Sequence, residues 1–165
     1  LPGRPRSYRQ LVYHVFDIPK VFLDRVEHNA PYTYEALKSV LPEEMKTKDD
    51  LVAYGHEVHS RFSRWWDHEG QSTDFTQPGN VYYGDVTLHE VLERTGWHSG
   101  QHLRQIMLML REKLGIEPEY PITDKDLAGL PLPKTVWDNE RSFDEAAYAD
   151  KAETLDTGIE TQPAA

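Results

Sequence analysis

Trp97-His98-Ser99-Gly100-Gln101-His102-Leu103-Arg104-Gln105 decides how this chain is read, because it sets two histidines four residues apart inside a long apolar-periodic segment. Four residues of α-helix advance about 400°, so both imidazoles leave the same face, roughly 6 Å apart along the axis. Stepping from the pair at helical intervals reaches Leu88, Val91, Thr95, Ile106, Met109 and Leu110, which places His98 and His102 on the core-facing side. Buried imidazoles need partners for their ring nitrogens. A shared metal ion supplies them, and so does a hydrogen-bonded network. With eight histidines in 165 residues the spacing also arises by chance, so the face carries more weight than the spacing.

Working outward, Thr87 and Glu90 form a capping box that starts this helix, and Gly115 ends it after Leu114. Before it, Gly70, Gly79, Gly84 and the Gln77-Pro78-Gly79-Asn80 turn predict an ordered loop or small hairpin over 70–86. A second long helix opens at Thr47, has Asp49 and Asp50 in its first turn, and repeats Leu51, Tyr54, Val58, Phe62, Trp65 and Trp66 toward a core. The first helix starts at Ser7, with Gln10 completing a capping box, and carries Leu11, Val12, Val15, Phe16, Phe22 and Val26. Pro19 falls inside that pattern and predicts a kink or a split near Ile18. A short helical stretch is expected from Thr33 to about Leu41. Beyond Gly115, Pro118, Pro121, Pro131 and Pro133 forbid a long helix, Ser142 to Leu155 forms at most a weak one, and the last ten residues carry no pattern of order. The expected division is a bundle over 1–116 and a Pro-rich, acidic extension over 117–165.

The composition sets outer bounds. A net charge of −10 argues against nucleic-acid binding, which draws on clustered Lys and Arg. The absence of cysteine removes disulfides, thiolate ligands and a cysteine nucleophile, so any metal is held by nitrogen and oxygen. With no 20-residue apolar run and no signal-peptide pattern, the expectation is a cytoplasmic protein that does not engage a membrane. Three long helices leave one side of a bundle uncovered. The expected cover is a helix, or another domain, upstream of Leu1; Ser142 to Leu155 folding back and a second copy in a homodimer are the rivals.

The run Tyr82-Tyr83-Gly84-Asp85-Val86-Thr87-Leu88-His89-Glu90, continuing through Gln105, resembles the last bundle helix of the bacterial DinB-like, or YfiT-like, metal-binding superfamily. The resemblance covers roughly residues 7–115 and implies an all-α four-helix bundle whose first helix precedes Leu1. It implies a divalent metal on His98 and His102, and on His14 from Ser7-Tyr8-Arg9-Gln10-Leu11-Val12-Tyr13-His14, which resembles the family's second helix. Many members read His-His-Arg-Gly-Gln, whereas this chain reads His102-Leu103-Arg104-Gln105, which moves the arginine by one position. Characterised relatives include metal-dependent transferases and isomerases that use mycothiol, bacillithiol or glutathione.

Three neutral imidazoles leave an incomplete shell that admits water or substrate. Zinc is the default metal, with nickel, iron and manganese as alternatives. Asp17, one turn after His14, can orient an imidazole, supply a fourth ligand or remain a solvated charge. Tyr83 and Trp97 are candidates to line a substrate pocket or simply to pack; Arg94 and Arg104 are candidates for a substrate anion, on different faces of the helix. Gly96 and Gly100 either permit close approach of another helix, which would help bring His14 to the pair, or are simply tolerated. His28, His56, His59, His68 and His89 read as surface or terminal residues. The resemblance implies an enzyme that activates a low-molecular-weight thiol against a small electrophile; a non-catalytic metal-binding stress or interaction module and a metal-dependent hydrolase are the other readings.

Overall fold

The Ser7 hydroxyl accepts the Gln10 amide and starts α1, Tyr8–His28, in the computed structural model, which describes residues 7–136. α1 ends at Asn29, which adopts the left-handed conformation and donates its N–H to Asp24. α2, Tyr34–Leu37, is shorter than the Thr33 to Leu41 expectation, because Ser39 turns left-handed at φ 50° and takes the chain off the helical path. α3, Lys48–His68, begins at a Thr47–Asp50 capping box, and α4, Leu88–Leu114, at the Thr87–Glu90 box. Gly115, at φ 63°, closes α4 by donating to the carbonyls of Leu110 and Arg111. The expected Ser142 to Leu155 helix lies outside the described residues.

The fold is all-α, and α1 is its central element. It packs against both α3 and α4, whereas α3 and α4 make no close backbone approach to each other. The core below them is built on Phe22, Leu23, Trp65, Leu88 and Val91, with the Phe22 and Trp65 rings edge to face at 5.4 Å. Of the two adjacent tryptophans on α3 only Trp65 is buried; Trp66 is 41% exposed, because neighbouring helical residues point about 100° apart. Arg61 on α3 ties the same pair of helices from outside, reaching Glu27 at 2.5 Å and Asp24 at 2.8 Å. Burial pushes the Asp24 carboxyl up, but hydrogen bonds from Lys20 and Arg61 overcome this and hold it below the ordinary carboxylate range.

Between α1, α3 and α4 lies an apolar cavity of about 400 Å³, lined by Val15, Phe16, Val58, Phe62 and Leu92 among others. The loop before α4 contains no strand among the described residues, only isolated bridges such as Pro78 to Thr87. It is nonetheless fastened: Leu88 and His89 donate their amides to Gln77 and Phe75, and the Arg25 guanidinium donates to the Gly79 carbonyl. These contacts satisfy amides at the start of α4 that no helical carbonyl can reach. No helix among the described residues is long and apolar enough to cross a membrane.

Two local expectations are corrected by tertiary structure. α1 is not split at Ile18 but runs through Pro19 to His28. Proline has no N–H for the Val15 carbonyl four residues before it. The Ser99 hydroxyl of α4 donates to that carbonyl instead, at 3.3 Å, and the buried Val15, Ile18, Val21 and Phe22 hold the helix on both sides of the proline. Gly96 and Gly100 do not receive α1. A Cβ on Gly100 would lie 3.0 Å from Leu127, and one on Gly96 would lie 3.3 Å from Leu130. The glycines therefore seat the segment that follows α4, and this described part of the expected extension lies on the bundle. We refer to Leu127–Val136 as the strap.

The Ser99 bond gives a test by double-mutant cycle. Ser99→Ala should lower stability in urea unfolding by about 1 kcal/mol, the usual cost of a buried acceptor losing its partner. In a Pro19→Ala background, which returns a helical N–H to Val15, the same substitution should cost less than half as much; equal costs in the two backgrounds would contradict the pairing.

Candidate metal centre

His98 and His102 leave α4 one turn apart on its inner face, and His14 leaves α1 opposite them. The Val15 to Ser99 bond joins the residues next in sequence to His14 and His98, so it ties the two histidine-bearing helices together beside the cluster. The imidazole centroids are 4.9 Å apart for His14 and His98, 5.2 Å for His14 and His102, and 4.5 Å for His98 and His102. All three side chains are buried, at 4, 8 and 5% exposure for His14, His98 and His102. His14 Nδ1, His98 Nδ1 and His102 Nε2 are themselves shut off from solvent.

Each imidazole offers one ligand atom such that all three lie within 4.8 Å of one another. Donors on a tetrahedral zinc with bonds near 2.05 Å are about 3.3 Å apart, a distance small side-chain rotations can reach from here. The donor set is chemically suited to a borderline divalent ion such as zinc. The three buried histidines can therefore hold a metal ion, and among the described residues they form the one cluster that brings three such ligand atoms together.

The polar residues around them are arranged in two separate groups. On α1, Asp17 is buried, and its carboxylate accepts the hydroxyls of Tyr13 at 3.0 Å and Tyr54 at 2.8 Å. Its hydrogen bonds go to tyrosines toward α3, so it is neither a solvated charge nor bonded to an imidazole. On α4, His102 Nδ1 is 2.8 Å from Gln105 Oε1. This carboxamide passed unnoticed in the sequence, although its position three residues after His102 places it one turn away on the same face. Such an outer partner fixes the orientation and tautomer of a ligating histidine.

The candidates for substrate contact fall in different places. Arg104 is committed to the strap: Nη1 donates to Pro133 O at 2.9 Å and to Gln101 Oε1 at 2.8 Å, and Nη2 donates to Lys134 O at 3.5 Å. Trp97 is buried with its ring 6.2 Å from that of His98. Tyr83 belongs to the core below, against Tyr32 at 6.3 Å, and burial pushes its phenol well above the ordinary range. Tyr83 and Trp97 share Arg94, whose guanidinium lies 5.0 Å from the first ring and 5.3 Å from the second. His28, His56, His59, His68 and His89 are exposed and stand apart from the cluster.

The chain matches the model of the DinB superfamily over residues 2–106, a span that contains all three histidines. No curated protein and no solved structure matches it.

The tyrosine pair beside the site gives a pH prediction. Burial, then the charge of Asp17, push the Tyr13 phenol from 10.0 up to about 12. The folded state thus holds this proton more tightly than the unfolded state, and the associated stability is complete below pH 10 and lost as the pH rises toward 12. Stability measured by urea unfolding should fall more steeply across that window in the parent than in Tyr13→Phe. Identical slopes would show that Tyr13 is not so held.

Proposed function

The chain belongs to the DinB superfamily, and from its buried three-histidine cluster we propose that it is a divalent-metal enzyme that activates a low-molecular-weight thiol for attack on a small electrophile. The observation that carries this reading is the donor set: three imidazoles, with the nearby Asp17 carboxylate engaged by Tyr13 and Tyr54. Neutral ligands leave the full positive charge on a bound divalent ion, and three of them leave coordination positions for an exogenous donor. A metal of this kind, when bound, holds a thiol in its nucleophilic thiolate form near neutral pH.

The protein's own contribution is positioning and exclusion of water. His14 on one helix and the His98–His102 pair on another hold the donors from two directions, and the Ser99 bond keeps those helices in register. Burial of all three rings lowers the local dielectric, which strengthens the attraction between cation and thiolate. Trp97 closes the α4 side of His98 with apolar surface. With no cysteine in the chain, this reading takes the nucleophilic sulfur from a small molecule.

The test is consumption of an electrophile such as an aryl halide or epoxide by the Zn(II)-loaded chain, assayed with mycothiol, bacillithiol and glutathione in turn. Turnover with at least one thiol, abolished by chelation and by His98→Ala, is the expected outcome. Activity that is indifferent to thiol would identify hydrolysis instead, and stoichiometric metal binding without turnover of any substrate would identify a binding module.

A further inference from the structure

The strap is fastened to α4 where two glutamines face it, and the hydrogen bonds continue to a metal-site histidine. The Val136 carbonyl accepts Gln105 Nε2 at 3.1 Å and Gln101 Nε2 at 2.8 Å. A carbonyl only accepts, so it fixes which end of each carboxamide is nitrogen. For Gln105 the consequence is that Oε1 turns toward His102 Nδ1. Since Oε1 is also only an acceptor, His102 must carry its proton on Nδ1, which leaves the lone pair on the buried Nε2. Gln101 is oriented in the same sense from its other end, because its Oε1 faces Arg104, which only donates. Arg104 in turn anchors the strap at Pro133 and Lys134, and Leu127 and Leu130 rest over Gly100 and Gly96.

From this chain of donors and acceptors we propose that the strap, Leu127–Val136, is an outer part of the metal centre, and that Gln105 is a positioning residue which sets the His102 tautomer required for metal binding. The proposal rests on the metal-binding reading above. With the strap in place, the Gln105 carboxamide has one orientation and His102 presents Nε2 as its ligand atom. Without it, the carboxamide can rotate and offer its NH2 group, which favours the opposite tautomer and leaves Nδ1 as an acceptor. By linkage, a metal that binds more tightly when the strap is docked also holds the strap down by the same factor. A side chain at Gly100 would press on Leu127 at 3.0 Å, which accounts for a glycine inside a helix where alanine is ordinarily preferred by about 1 kcal/mol.

The experiment uses the full chain and the variants Gln105→Leu, Gln105→Glu and Arg104→Met, with helicity checked by circular dichroism. Ring-nitrogen NMR of the metal-free proteins reports the His102 tautomer, competition titration reports Zn(II) affinity, and limited proteolysis reports release of the strap. The parent should show His102 protonated on Nδ1. Gln105→Leu should lose that single tautomer and weaken Zn(II) binding about 10- to 100-fold, the usual effect of removing an outer partner. Gln105→Glu, whose two oxygens both accept, should retain the tautomer and the affinity while releasing the strap. Arg104→Met should release the strap and weaken Zn(II) binding in the parent background but leave affinity unchanged in the Gln105→Glu background. The proposal is overturned if Gln105→Leu keeps the parent's tautomer and affinity, or if Arg104→Met frees the strap without altering either. A parent that takes up no Zn(II) overturns the metal reading alone, since the spectrum of the metal-free chain still decides the role of Gln105.

Discussion

The hydrogen bond from Ser99 to the Val15 carbonyl is the constraint on which the site depends. Pro19 leaves that carbonyl without its helical donor, and Ser99 supplies one from the neighbouring helix. A residue that ordinarily interrupts a helix has thereby become a point of attachment between two helices. Because Val15 follows His14 and Ser99 follows His98, the bond ties the two histidine-bearing segments at matching heights. A slip of one residue along α4 would move the imidazole pair by about 1.5 Å along the axis and 100° around it, and the three rings would no longer meet. The same slip would turn the buried Leu88, Val91 and Met109 away from the core, so apolar burial and the Ser99 bond select one register together.

Around this fixed point, the polar side chains have separate tasks. Asp17, Tyr13 and Tyr54 satisfy one another between α1 and α3, so a buried carboxylate is accommodated without drawing on the histidines. Gln101, Arg104 and Gln105 do the corresponding work between α4 and the strap. The two networks approach the histidine cluster from opposite elements, and only the second is bonded to it, through His102. The cluster gathers three imidazoles in a buried site, where coordination by their nitrogens offsets the cost of taking a cation out of water.

Much of the fold was legible because it is written in local signals. The helix start at Thr47, the capping box at Thr87 and the stop at Gly115 lie where the sequence places them, since each is a hydrogen-bonding or backbone requirement met within a few residues. The His98–His102 pair was legible for a similar reason, its face being shared with Leu88, Val91 and Met109. His14 was not: nothing in its own helix says which residue of α4 it will meet, and only the family resemblance singled it out. That α1 continues through Pro19 was not legible, because it depends on tertiary packing and on a donor 84 residues from the Val15 carbonyl. Arg104, Gln105 and the glycines at 96 and 100 depend on the strap, whose proline-rich sequence has no helical or strand period from which a docking site could be inferred. The C-terminal segment consequently read as separate from the bundle, although its described part is bound to the helix that carries two of the histidines.

On this reading His14, His98 and His102 together bind one metal ion. Elemental analysis of the purified chain beside His14→Ala, His98→Ala and His102→Ala, after dialysis against a weak chelator, tests it most directly. One equivalent of a divalent transition metal in the parent, and its loss in each variant, is the expected result. A parent without metal, or metal retained in all three variants, would contradict it and return the histidines to the role of packed core residues.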